Sequence, residues 1–153
     1  MTTTENRALA KNWPDAPTTA AGWISRAGEV AQLLAVDAVA RDKGRELPSA
    51  EVQLLKDAGL VTLLGPVEHG GGGQDWPTAY QVIRTVSKAD GSIGQLLGYH
   101  LLWFWAARLV GTPEQIEAVE ADATKNKWFF GGAVNPRDND VTVADEGDVP
   151  ARL

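Results

Sequence analysis

The run "GQLLGYHLLWFWAARLVG", residues 94–111, is the most apolar stretch of the chain, and it holds a histidine, His100, near its middle. A run of this length lies at the lower edge for a membrane span, which needs about 20 apolar residues. Gln95, His100 and Arg108 interrupt it, however, and amphipathic segments on both sides need an apolar partner to cover. The pattern therefore predicts a central helix, apolar almost all round, in a helical domain.

Composition is consistent with that reading. A chain of 153 residues suffices for one domain burying about 70% of the surface exposed when unfolded. The hydrophobic share is 44% and the charged share 22%, which argues against a wholly disordered chain. Net charge is −6 and the 14 basic residues are scattered, so no basic stripe is present to displace counterions from phosphates. Nucleic acid is not an expected partner. Cysteine is absent, which excludes disulfides and thiolate metal sites. The opening "MTTTENRALAKNWPDAP" has no apolar core of the kind a signal peptide needs. The expected location is cytoplasmic, with no membrane association.

Along the chain, residues 1–18 are polar, contain Pro14 and Pro17, and read as a flexible arm. A first helix over 19–42 is capped by Thr18 or Thr19 and turns Trp23, Ala27, Val30, Ala31, Leu34 and Ala38 to one side. A second, 49–58, opens at Pro48-Ser49 with the Ser49 hydroxyl as cap, and closes at Gly59. A third covers 76–89 after Asp75, with Ala79, Val82, Ile83 and Val86 facing inward. The apolar run forms a fourth, 92–110, and Thr112-Pro113-Glu114-Gln115 opens a fifth, 113–124, with a capping box. "KWFFGGAVN" changes period and predicts a strand over 127–133.

Few residues carry chemistry on their own evidence. The run Gly70–Gly73 lacks the lysine and the flanking strand of a phosphate loop, and reads as a turn with positive φ angles. Gly94 and Gly98 share a helix face, which fits either close helix packing or approach of a ligand. His100 has no acidic or histidine neighbour at ligand spacing, so no metal site is expected. Taken alone it is either a core histidine with satisfied nitrogens or a polar point on a pocket wall. Tyr99 beside it faces another direction.

"LKDAGLVTLLGPVEHGGGGQDWPTAYQVIRTVSKADGSIGQLLGYHLLW" resembles the N-terminal helical domain of the acyl-CoA dehydrogenase superfamily. The combination of "DWP", "ADGS" and "GYHL" is similar to its flavin-dependent monooxygenase branch, of the dibenzothiophene-desulfurisation type, over roughly residues 45–147. The resemblance implies a mainly α chain. A flexible arm (1–18) precedes a helical acyl-CoA dehydrogenase-like domain (19–125), and the first strand or strands of a middle β-domain follow (126–153). It implies a role for His100 in catalysis, and flavin contacts for Tyr99, Gly132, Ala133, Val134 and Asn135. The cofactor would be reduced FMN, or FAD, and a separate flavin reductase would supply it for oxygenation of a sulfur or carbon centre in a small molecule.

Asn135-Pro136 stands where the dehydrogenases usually carry Thr/Ser-Glu-Pro, which favours the monooxygenase over a dehydrogenase-type fragment. From Val149 the tail "VPARL" departs from the family pattern, as in a truncated β-domain. The chain alone is then expected to be inactive, not to retain flavin, and to self-associate as a homo-oligomer. A non-catalytic helical interaction module is the alternative.

Overall fold

The computed structural model describes residues 11–45 and 47–132. Seven helices lie among them: α1 (Ala20–Ala35), α2 (Ala38–Gly44), α3 (Ser49–Asp57), α4 (Trp76–Ala89), α5 (Gly91–Trp105), α6 (Ala107–Val110) and α7 (Pro113–Lys125). Two short 3₁₀ turns, Leu60–Thr62 and Val67–His69, occupy the link between α3 and α4. The chain is mainly helical, as its periodicity predicts.

Capping explains most of the boundaries. The Thr19 hydroxyl accepts the Gly22 N–H, Asp75 accepts from Thr78, and Asp90 accepts from Ile93. At α7 the reciprocal box is complete, with Thr112 taking the Gln115 N–H and the Gln115 side chain taking the Thr112 N–H. Each removes an N–H that the helix itself leaves unpaired. The expected Ser49 cap is corrected: Ser49 is the first helical residue, and its N-cap, Pro48, has no side-chain bond to offer.

Two long helices predicted from the pattern are each divided. Residues 19–42 break after Ala35, where Asp37 leaves helical geometry (φ −136°, ψ 17°). Arg41 holds the break together. It pairs with Asp37, donates to the Leu34 carbonyl at 2.9 Å, and reaches Asp90 at 2.6 Å and Glu51 at 3.4 Å. One guanidinium thus joins α1, α2, α3 and the start of α5. Residues 92–110 break at Ala106, which bonds back only three residues to Trp103, a tightened final turn. The N-terminal residues 11–18 lie along α1, with Arg26 donating to the carbonyls of Pro14 and Asp15 at 2.9 and 2.8 Å. Residues 1–10 lie outside the described region.

α1 packs along α4, and α4 along α5. The α4–α5 pair crosses closely because a Cβ at Gly94 would overlap the Ser87 side chain and backbone, so helix packing accounts for Gly94. The core gathers Trp23, Leu34, Leu55, Val82, Leu97 and Phe104, among others. α5 is not enclosed all round. Ile93, Leu97, His100, Leu101 and Phe104 are buried, whereas Gln95, Tyr99 and Leu102 are exposed along its other side. Residues 127–132 form no strand among the described residues, and the remainder of the expected β-region, from Ala133, lies outside them.

Asp90 both caps α5 and pairs with Arg41, so its variants separate the two roles. Asp90→Ala should lower unfolding free energy by about 1–3 kcal/mol, while Asp90→Asn should recover the share due to the cap. Urea melts of both variants measure this, and equal losses would count against a capping role.

Candidate functional site around helix α5

The glycine loop is not a phosphate cradle. Gly70 and Gly73 take positive φ (86° and 58°), as a tight loop requires. The N–H groups of Gly71, Gly72, Gly73 and Gln74 bond the carbonyls of Pro66, Thr62, Gly65 and Leu63. Donors that a phosphate would need are therefore consumed within the loop.

His100 is completely buried on the inner side of α5. Its Nε2 lies 2.7 Å from the Val61 carbonyl, and the Phe130 backbone N–H donates to Nδ1 at 3.0 Å. Since Nδ1 accepts, the proton is on Nε2, which donates to Val61: the ring is neutral and in a single tautomer. The rings of Phe129 and Phe130 lie nearly parallel to the imidazole, with centroids at 4.8 and 5.9 Å. Burial pushes the imidazole pKa down to about 4; the Val61 bond opposes that shift and the charge of Lys56 adds to it. Of the two readings left open by the sequence, the described residues favour the core histidine with satisfied nitrogens. Both nitrogens are engaged and the ring is enclosed, although its partner Phe130 adjoins Gly131.

Tyr99 points the other way and is 54% exposed. One helical turn on, Trp103 packs against Gly132, where a Cβ would overlap the indole. The Trp103 Nε1–H is buried and, among the described residues, has no hydrogen-bond partner. Gly131 and Gly132 are exposed, and Ala133, Val134 and Asn135 lie outside the described residues. The structure thus joins His100 to Phe130 and Trp103 to Gly132, contacts that sequence reasoning missed. The aromatic run before the two glycines was their only visible signal.

A separate cavity of about 700 Å³ opens between the glycine loop and α7, lined by Val67, His69, Gln74, Trp105, Arg108 and Glu120 among others. In it Arg108 stacks over the Trp105 ring at 4.3 Å and grips both oxygens of Glu120, which is buried. Among the described residues, none of Tyr99, His100 and Gly132 lines it. Among the described residues no group of His, Cys, Asp or Glu could hold a metal ion, and no helix is long and apolar enough to cross a membrane.

Two outcomes follow from this geometry. The depressed His100 pKa means that the folded state holds fewer protons than the unfolded chain as pH falls from 6.5 toward about 4. The associated stability is fully present above that window and lost on acidification through it, on the order of 3 kcal/mol in total. Urea unfolding from about pH 7.5 to about pH 4.5 should show this slope in the wild type and lack it in His100→Phe; parallel slopes would refute it. Gly132→Ala should displace the Trp103 indole and alter near-UV dichroism. Gly131→Ala, with nothing within 4 Å of an added Cβ, should leave the spectrum unchanged.

Residues 27–125 match the family profile "Acyl-CoA dehydrogenase, N-terminal domain". The chain is 38% identical over 118 residues to a dibenzothiophene monooxygenase of Rhodococcus erythropolis, covering 77% of this chain and 28% of that protein. Among solved structures, it is similar to the methanesulfinate monooxygenase MsuC of Pseudomonas fluorescens at TM-score 0.74 and 36% identity, covering 81% of this chain and 32% of that one. FMN-bound TdsC of Paenibacillus sp. A11-2 matches at TM-score 0.66 and 36% identity, over 70% of this chain and 27% of that one. The chain therefore spans less than a third of the length of these relatives. By the match over residues 27–125 and by its helical architecture, the chain belongs to the acyl-CoA dehydrogenase family through that family's N-terminal domain.

Proposed function

We propose that this chain supplies the N-terminal helical wall of a flavin-dependent monooxygenase that oxygenates a sulfur or carbon centre of a small molecule. The observation that carries the reading is the open side of α5. There Tyr99 presents a half-exposed ring, and one turn away Trp103 packs against the exposed backbone at Gly132. Aromatic surface and bare glycine backbone suit a flat heteroaromatic group, of which FMN is the one bound in TdsC. Tyr99 and Gly132 would hold it together with Ala133, Val134 and Asn135.

When bound, the flavin supplies the oxygen chemistry, in reduced form delivered by a separate reductase. The protein's own contribution is positional. α5 offers an apolar wall that excludes water, Tyr99 adds one hydroxyl to it, and the buried side of the same helix keeps the wall rigid. His100, with both nitrogens spent, has no proton to give or take at that surface. We place the protein in the cytoplasm as a homo-oligomer, with the exposed Leu102, Leu109 and Val110 as apolar surface for association.

One wall buries only part of a ligand, and each 1.4 kcal/mol of lost contact weakens binding about tenfold. The 153-residue chain should accordingly bind FMN no more tightly than roughly 100 μM and should not turn over sulfur compounds. Calorimetric titration measures the first, and micromolar binding by a monomer would contradict it. A chimera in which residues 20–132 replace the corresponding segment of the Rhodococcus dibenzothiophene monooxygenase should bind FMN and oxygenate its sulfur substrate. A folded, FMN-loaded chimera without oxygenation would overturn the reading.

A further inference from the structure

Three segments meet at one imidazole. α5 provides the ring, the Leu60–Thr62 turn provides the Val61 carbonyl, and the irregular stretch after α7 provides the Phe130 N–H. That stretch leaves α7 with backbone bonds from Asn126, Lys127 and Trp128 back to the helix. Among the described residues, the next backbone group to be held is Phe130 N–H, by His100, and no further hydrogen bond follows before Gly132. A residue needed only to fill space would require neither polar contact: Leu97 and Leu101 fill the adjacent core without one.

The two bonds also depend on each other. A ring nitrogen accepts only while the other carries the proton, so the Val61 carbonyl, by holding Nε2–H, keeps Nδ1 an acceptor for Phe130. The nearly parallel Phe129 and Phe130 rings restrain the same stretch sideways. Among the described residues, Gly131 has nothing within 4 Å of where a Cβ would stand, and the next contact is that of Gly132 with the Trp103 indole, which carries no hydrogen bond to the backbone.

We propose that His100 is a positioning residue: through Nδ1 it pins the Phe130 N–H, and with it the direction in which the chain runs through Gly131 and Gly132. Its bearing on catalysis rests on the reading of Gly132 and the residues after it as flavin contacts. His100 acts through the backbone, its two ring nitrogens being engaged within the domain.

Nuclear magnetic resonance of the ¹⁵N-labelled chain tests the proposal. The wild type should show the Nε2–H tautomer at neutral pH, with a Phe130 amide that exchanges about tenfold or more slower than in His100→Phe. His100→Asn sets a carbonyl oxygen near the place of Nδ1 and should keep that protection. His100→Gln reaches toward Val61 and should lose it, with the Val82 and Leu97 amides little changed in both. A space-filling role gives the opposite order, because glutamine is closer to histidine in volume. An Nδ1–H tautomer or an imidazolium in the wild type would overturn the proposal even if every variant failed to fold, as would equal protection in the Gln and Asn variants. In the chimera, His100→Gln should raise the FMN dissociation constant at least about tenfold and His100→Asn less than about threefold. The expected amide order in a chimera that binds no FMN would uphold the positioning role and count against the flavin reading.

Discussion

A neutral imidazole sealed inside α5 is the contact through which the parts of this domain are registered. Leucine and valine contacts are nondirectional, and they allow one element to slide on another at small cost. His100 removes that freedom. Its Nε2–H and its Nδ1 lone pair point in fixed directions, so the Leu60–Thr62 turn and the stretch before Gly131 each have one allowed position relative to the helix. The low pKa expresses the same fact as an energy: burial favours the uncharged ring, and only the uncharged ring can serve both partners.

A second directional device sits across the domain. Arg41 joins Asp37, Glu51, Asp90 and the Leu34 carbonyl, so the break after α1 and the beginning of α5 are set by one side chain. The glycine link between α3 and α4 is held in a third way, through its own backbone bonds. Packing supplies most of the burial in this domain, and these polar contacts give it a single register.

Much of this was legible from the residues. The caps at Thr19, Asp75, Asp90 and Thr112 and the inner faces of α1 and α4 follow from local chemistry, which a sequence displays directly. The breaks at Asp37 and Ala106 were not legible, because no Gly or Pro marks them. The first depends on Arg41 meeting a carboxylate forty-nine residues away. His100 showed the same limit: its place in the apolar run was visible, but the choice between core and pocket wall depended on Val61 and Phe130, thirty-nine and thirty residues distant. Tyr99, expected to face away from its neighbour, does so. The Arg108–Glu120 pair had no local signal at all.

The two sides of α5 divide its positions into separate sets. Ile93, Leu97, His100, Leu101 and Phe104 are committed to the interior, whereas Gln95, Tyr99 and Leu102 lie along the exposed side. Substitutions in the second set leave the interior contacts intact, so they draw little on a stability margin that is narrow in most proteins. A helix built in this way lets its outer surface diversify while its inner surface stays fixed. It gives a lineage a means of changing what the wall meets without rebuilding the wall.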